Sequence, residues 1–309
     1  MLSNLILDAR QQLSQYIDTS KKSQSSIAHE MGISPATLSQ FLSETYPGDN
    51  HAVAQKAMQF LEIGTARQRL ASSPPICLSV RNTERILTAV RMAHEASHVA
   101  LIHGPAGCSK TTSLKHYAEQ TSGVVYVELD ATISSQCNVL IAILDALEVS
   151  AKGSTAQIMR QTLSQLKNTN RLLIIDECQH LNEKAFDMLR AVNDKAGIGI
   201  VLSGNRSVLK RMFGRMELEY DQLFSRFGEI VELENRYSLA DITNIYKEHP
   251  VDNECLEYLS KVANQKGGLR RMDKEYKMAV NIADTLQVTL SMPFLIEAEK
   301  RLKVIGIIA

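Results

Sequence analysis

The chain has 309 residues, 44% of them hydrophobic and 22% charged, and its 34 basic residues equal its 34 acidic ones in number. This composition is typical of a soluble globular protein large enough for two domains. Its five cysteines form no Cys-x-x-Cys pair, which argues against a disulfide framework or a zinc site and favours a cytoplasmic protein. The neutral total charge gives no indication of a nucleic-acid partner, although a local basic patch can lie on a neutral protein. We expect no signal peptide and no contact with a membrane.

Three sections and a linker are predicted along the chain. Residues 1–63 have a helical pattern, and residues 64–79 contain two serines followed by two prolines, which predicts a linker. In residues 80–236, helices alternate with short apolar strands, a pattern typical of a parallel sheet with helices on both faces. Residues 237–309 show helical segments only. The predicted strands are Val99–Ile102, Val124–Leu129, Leu172–Ile175, Ile198–Leu202 and Ile230–Leu233, and the helices among them include Thr111–Gln120, Ser134–Leu147, Thr155–Leu166 and Glu183–Asn193.

The first section contains two short predicted helices joined by a turn at Gly32. Ser34 is placed to cap the second helix, and Pro35 suits its first position. The pair resembles the helix-turn-helix of phage repressors, whose second helix enters a DNA groove. Because residues 1–70 contain six acidic and six basic residues, the charge gives little support for DNA binding, and a domain that binds only protein stays an alternative. The residues on the face presented to DNA would be Pro35, Ala36, Thr37, Ser39 and Gln40.

A glycine-containing loop, GPAGCSKT at Gly104–Thr111, lies between a predicted strand and a predicted helix. In that context, backbone N–H groups and the positive end of the helix converge on phosphate oxygens. Lys110 would reach the β- and γ-phosphates of ATP, and the Thr111 hydroxyl would ligate Mg²⁺. Ser109 departs from the pattern, in which glycine is usual, and the alternative is a tight turn without a ligand. The predicted ATP contacts here are Gly104, Pro105, Ala106, Gly107, Cys108, Ser109, Lys110, Thr111 and Thr112.

Polar side chains follow two other predicted strands. Asp176 and Glu177 come directly after the apolar run Leu172–Ile175, at the edge of an open α/β sheet where ligands bind. We expect Asp176 to hold Mg²⁺ through water and Glu177 to polarise the attacking water. Asn205 follows the strand Ile198–Leu202, where an amide could bind the γ-phosphate or the water; a turn-capping asparagine is the equal alternative.

Two arginines complete the predicted site. Arg226 precedes the last strand and could act as an arginine finger in the site of a neighbouring subunit, although a surface salt bridge is the simpler interpretation. Arg270 could fold over the phosphates from the C-terminal helical section, and Arg271 is its rival for that role.

The order of these five motifs resembles that of the AAA+ ATPase family over about residues 80–290. The resemblance implies a core with a parallel five-stranded sheet in the order 5-1-4-3-2, a C-terminal helical lid, and ATP held between subunits of a ring or filament. With an N-terminal all-α helix-turn-helix domain, the chain is similar to the AAA+ target-DNA activators of transposing phages. This similarity implies an ATPase in the bacterial host cytoplasm that polymerises on double-stranded DNA and stimulates a transposase. It makes Lys152 a candidate DNA contact, with Lys115 and Lys167 as alternatives. Because some AAA+ proteins also have a small residue other than glycine at the position of Ser109, we expect hydrolysis to be slow or altered rather than abolished.

Two other functions remain open at this point. One is a transcription regulator that binds an operator through the helix-turn-helix and uses nucleotide as a switch. The other is a protein-remodelling ATPase whose N-terminal domain binds protein. A discrete footprint on DNA would favour the regulator, and assembly and hydrolysis that are independent of DNA would favour the remodelling ATPase.

Overall fold

A computed structural model describes residues 2–20, 22–71, 80–209, 227–304, 306 and 308. The chain divides into two compact units, residues 1–73 and 74–309. Within the ranges described, every helix is too short or too polar to cross a membrane.

The N-terminal unit consists of helices around a small apolar core. Ser34 caps α3 because its Oγ accepts a hydrogen bond from the Thr37 N–H at 3.0 Å, and Pro35 occupies the first turn, where its missing N–H is not needed. Gly32 has φ +65°, which lets the chain turn between α2 and α3. Leu38 and Phe41 on α3 are fully buried. The helices are α1 (Leu2–Thr19), α2 (Gln24–Glu30), α3 (Pro35–Leu42) and α4 (Asn50–Ala71).

Helix α4 extends further than the sequence pattern indicated. It runs to Ala71 and so includes the first part of residues 64–79, for which the sequence predicts a linker. A single glycine such as Gly64 costs a helix only about 1 kcal/mol relative to alanine, whereas consecutive prolines stop it. The two units divide after Ser73, next to those prolines.

The second unit is built on a five-stranded sheet. All pairings are parallel, and the strand order β2-β3-β4-β1-β5 confirms the predicted order when read from β5. The strands are β1 (Val99–His103), β2 (Val124–Glu128), β3 (Leu172–Asp176), β4 (Gly199–Gly204) and β5 (Glu229–Glu232). The helices are α5 (Arg81–Ala96), α6 (Lys110–Gln120), α7 (Gln136–Ala146), α8 (Thr155–Leu166), α9 (Glu183–Ala196), α10 (Leu239–Ile245), α11 (Asn253–Ala263), α12 (Gly268–Thr285) and α13 (Met292–Val304).

Separate apolar clusters cover the two faces of the sheet. Strands β1, β3 and β4 are buried throughout, because their apolar side chains have neighbours on both sides. One cluster contains α7, α8 and α9, and the other contains α5 and α6. The C-terminal helices pack on one another around a third cluster that includes Leu259, Met272 and Leu295. This arrangement confirms the predicted α/β core followed by a helical section.

Candidate functional site

The loop between β1 and α6 has the backbone of an anion-binding loop. Gly107 and Ser109 have φ values of +85° and +65°, which curl the chain at the start of the helix. Across the described residues, no protein group accepts a hydrogen bond from the N–H groups of residues 106–109. These donors lie beside the positive end of α6, so they are suited to a phosphate.

Lys110 lies at the first position of α6 with its side chain folded over the loop. Its Nζ donates to the carbonyl oxygens of Gly104 at 3.0 Å and Pro105 at 2.9 Å. The ammonium therefore lies next to the free N–H groups, and phosphate oxygens bound there would be within reach of a positive charge.

Ser109 holds a backbone conformation that glycine adopts without strain. At φ +65° and ψ +12° it lies in the left-handed region, which costs an L-residue about 1 kcal/mol. The sequence has serine where phosphate-binding loops usually have glycine. The structure shows that Ser109 nevertheless adopts the left-handed backbone conformation that favours glycine.

We expect Ser109→Gly to raise both stability and turnover. Removing about 1 kcal/mol of strain should raise the thermal midpoint by about 2–4 °C in a unit of this size, and a loop free of the side chain should hydrolyse ATP several-fold faster. Ser97 is a matched control because it is also a serine in the left-handed region, with φ +52°, at the end of α5. Ser97→Gly should raise the melting temperature without changing turnover. Equal ATPase rates for Ser109→Gly and the unmodified protein would remove Ser109 as a cause of slow hydrolysis.

The two carboxylates after β3 are held in different ways. Asp176 is 1% exposed, and its oxygens accept hydrogen bonds from the Tyr126 hydroxyl at 3.0 Å and from the Glu177 N–H at 2.9 Å. Burial next to Asp176 raises the pKa of the Tyr126 phenol, so the hydroxyl stays a donor. Glu177 is half-buried, and its Oε2 accepts a hydrogen bond from Gln179. Two hydrogen bonds thereby fix the Asp176 carboxylate, while Glu177 stays partly accessible to solvent.

Asn205 lies directly after β4 and is used to cap a turn. Its Oδ1 accepts hydrogen bonds from the Ser207 N–H at 2.8 Å and the Ser207 hydroxyl at 2.6 Å. This is the capping role that the sequence allowed as an equal alternative. The backbone N–H of Asn205 is bound by the Gln179 side chain at 3.1 Å.

A segment from the C-terminal section lies directly against the nucleotide loop. The Leu269 N–H donates to the Gly107 carbonyl at 2.9 Å, and Asn235 Nδ2 donates to the Ala106 carbonyl at 3.1 Å. A Cβ on Gly107 would overlap the Gly267 carbonyl oxygen. Gly107 and Gly267 therefore allow the nucleotide loop and the start of the C-terminal helical section to approach at backbone distance. The sequence does not predict this contact because it joins residues 160 positions apart in the chain.

The two candidate arginines of α12 have different surroundings. Arg271 is paired with Glu275 at 2.7 Å and Glu299 at 3.3 Å, and its side chain is 10% exposed. Arg270 is exposed, and in the part of the chain that the structure describes it makes no ion pair. Of the two, Arg270 has the side chain available for a ligand. Arg226 lies outside the described residues.

Burial also sets the protonation of two side chains beside the loop. Burial raises the pKa of the Cys108 thiol, whose Sγ lies 2.9 Å from the Pro105 carbonyl oxygen. Burial lowers the pKa of His103 at the end of β1, and Glu232 opposes that effect only in part. Both groups are therefore neutral near pH 7, and the charge of the loop is that of Lys110.

The predicted DNA contacts occur in both units. On α3, Pro35, Ser39 and Gln40 are exposed, whereas Thr37 is half-buried and its hydroxyl lies 2.8 Å from the Ser34 hydroxyl within the cap. Lys152, in the loop between α7 and α8, is exposed. Each unit thus carries exposed residues of the predicted set.

The fold and the loop together are those of an ATPase with an AAA domain. Residues 93–212 match the family model described as an AAA domain, a range that includes the loop, the carboxylates and Asn205.

Among known proteins, the chain is similar to transposition proteins of Mu-like phages. It is 28% identical to the ATP-dependent target DNA activator B of Escherichia phage Mu over 284 residues, which cover 90% of this chain and 89% of that protein. It is also 28% identical to the Mu-like prophage FluMu DNA transposition protein B of Haemophilus influenzae, over 85% of this chain and 93% of that protein. The chain is thus an ATPase whose residues 93–212 match an AAA domain, and it is similar to these transposition proteins over most of its length.

Two solved structures from Thermotoga maritima are also similar to this chain. The RuvB Holliday junction branch migration motor has a TM-score of 0.48 and 17% identity, over 72% of this chain and 68% of that chain. Domain III of the replication initiation protein DnaA has a TM-score of 0.49 and 19% identity, over 71% of this chain and 91% of that chain.

Proposed function

We propose that this protein is an ATPase of DNA transposition that assembles on double-stranded DNA with ATP, marks that DNA as the target and activates a transposase. The observation that carries the proposal is the extent of the similarity to the phage Mu activator. It covers 90% of this chain and therefore extends from the AAA domain well into the N-terminal helices.

The residues of the loop would bind the triphosphate. The N–H groups of residues 106–109 and the Lys110 ammonium supply the donors that phosphate oxygens need. The Thr111 hydroxyl and the Asp176 carboxylate are oxygen ligands of the kind that Mg²⁺ prefers, and they would hold that ion. Mg²⁺, when bound, neutralises charge on the phosphates.

Glu177 is the residue that we assign as general base. Its half-buried carboxylate lies at the end of β3, beside the fixed Asp176 and close to the end of β4. A carboxylate in that place can accept a proton from water that attacks the γ-phosphate. Arg226 from a neighbouring subunit would stabilise the transferring phosphoryl group, and Arg270 would contact it from the same chain; both roles rest on their positions in the sequence.

We propose that DNA binding is largely independent of base sequence, with only a few ionic contacts to the phosphate backbone from each subunit. Among the described residues of the N-terminal unit, Arg10 is paired with Glu44 and Lys22 with Glu30. Lys56 is exposed, and its Nζ donates to the Gly32 carbonyl at 3.3 Å, which places one further positive charge beside the turn that leads into α3. The exposed Gln40 and Ser39 can still donate hydrogen bonds to phosphates, and Lys152 of the second unit adds a charge. Few ionic contacts for each subunit imply that stable binding requires many subunits in an assembly.

The test is binding to duplex DNA of increasing length with ATP and Mg²⁺, with ADP, and without nucleotide. We expect ATP to strengthen binding at low salt by at least tenfold, to favour long DNA over short DNA, and to give uniform protection in a footprint. No effect of ATP on long duplex DNA would contradict the proposal. One discrete protected site would support the transcription regulator, and ATP-driven assembly without any need for DNA would support the remodelling ATPase.

A further inference from the structure

Gln179 links the ends of two strands through one side chain. It lies in the short 3-10 turn Cys178–His180 after β3. Its Nε2 donates to the Glu177 carboxylate, and its Oε1 accepts a hydrogen bond from the Asn205 N–H at 3.1 Å. Glu177 follows β3 and Asn205 follows β4, so the carboxamide bridges the candidate base and the neighbouring strand.

The chemistry of the two partners fixes the orientation of this carboxamide. A backbone N–H can only donate, and an ionised carboxylate can only accept. A glutamine satisfies both partners at once in a single orientation. A glutamate at 179 would place a second carboxylate against Glu177, and an apolar side chain would satisfy neither partner.

Local backbone features make room for this bridge. Glu177 has φ +55° and ψ +36°, a left-handed conformation that folds the following turn back over its own side chain. Gly204 precedes Asn205, and a Cβ there would lie 2.5 Å from Val208 Cγ2, 2.8 Å from Gln179 Oε1 and 2.9 Å from Cys178 Sγ. The glycine thus leaves room for the Gln179 carboxamide and for the Val208 side chain, at the cost of a strand residue with no side chain to pack.

We propose that Gln179 is a positioning residue that holds the Glu177 carboxylate in place for water activation and couples it to the end of β4. The proposal rests on the assignment of Glu177 as general base. The Gln179 carboxamide binds the backbone N–H of Asn205 and not its side chain. A shift of the C-terminal end of β4 therefore moves Gln179 and, with it, the Glu177 carboxylate, whatever the Asn205 side chain contacts.

The test is a double-mutant cycle of ATP turnover. Gln179→Met keeps the length of the side chain and removes both hydrogen bonds. We expect it to lower kcat by about 10-fold to 100-fold while the affinity for ATP stays within about twofold, because Gln179 acts through a group that is needed only for hydrolysis. In protein that already carries Glu177→Gln, the same change should lower kcat by less than about twofold, because the carboxylate that it positions is gone. Gln165, exposed on α8, provides the control Gln165→Met, which should change neither quantity.

Each result has a distinct meaning. A normal kcat for Gln179→Met, or an equal loss in both backgrounds, overturns the positioning role. An unchanged kcat for Glu177→Gln alone overturns the assignment of the base, and the positioning role with it. If Gln179→Met melts near the assay temperature, Gln179→Asn replaces it; this amide is too short to reach both partners, and the same coupling to Glu177 is expected.

Discussion

Lys110→Ala is expected to weaken nucleotide binding severely. The Lys110 Nζ lies 2.9 Å from the Pro105 carbonyl oxygen and 3.0 Å from the Gly104 carbonyl oxygen. It is next to residues 106–109, whose N–H groups have no hydrogen-bond acceptor among the described residues. Removing it takes away the one positive charge of the loop and a charge-assisted hydrogen bond to the phosphates. Removal of one partner of a buried charge pair typically reduces the binding free energy by about 2–5 kcal/mol. We therefore expect the affinity for ATP to fall by at least about 30-fold.

Fluorescence titration with a labelled ATP analogue would measure this loss. Lys115 offers a matched control on the same helix, because its side chain is 47% exposed and its Nζ pairs with Glu128 at 2.8 Å on the protein surface. Lys115→Ala should leave ATP affinity within about twofold. Equal affinities for Lys110→Ala and the unmodified protein would contradict the assignment of the loop. ATP-dependent assembly on DNA should be lost together with binding.

Glu177→Gln is expected to separate binding from hydrolysis. The glutamine keeps the size of the side chain but cannot accept a proton from the attacking water. Loss of a general base typically lowers a rate by about 10²-fold to 10⁴-fold, and we expect kcat to fall in that range while ATP affinity changes little. Bound ATP should then persist, and complexes on DNA should dissociate more slowly.

Single-turnover hydrolysis and dissociation from long DNA would measure the two effects. Glu183→Gln is a suitable control because Glu183 is exposed in the first turn of α9, only six residues further along the chain. It should hydrolyse ATP at the normal rate. Unchanged turnover in Glu177→Gln would remove Glu177 from the role of base, even if the site binds ATP as proposed.

The sheet was the part of the structure most completely predictable from sequence. All five strands lie within two residues of their predicted starts and ends, because apolar runs such as Leu172–Ile175 can be buried only between two layers of helices. The strand order followed from the family resemblance, since periodicity does not specify which strands are neighbours. Helix α4 continues past Gly64 because a single glycine does not stop a helix.

The site was predictable in its residue types and less so in its contacts. The loop and the two carboxylates stand out because each follows an apolar strand. Tyr126 could not be found in this way: its bond to Asp176 depends on the register between β2 and β3, which places Glu128 opposite Asp176. Gln179 is only two residues after Glu177, so a contact between them is predictable from sequence. Its hydrogen bond to the Asn205 N–H is not, because that contact depends on the pairing of β3 and β4 in the folded sheet.

The close approach of Gly107 to the helical section changes how substitutions in the nucleotide loop should be interpreted. A side chain at 107 would strain a backbone at φ +85° and would also collide with the Gly267 carbonyl. Such a variant would displace α12, and Arg270 with it, before any nucleotide is added. Defects of a Gly107 variant would therefore combine impaired phosphate binding with an altered lid, so only side-chain changes such as Lys110→Ala isolate the phosphate contact.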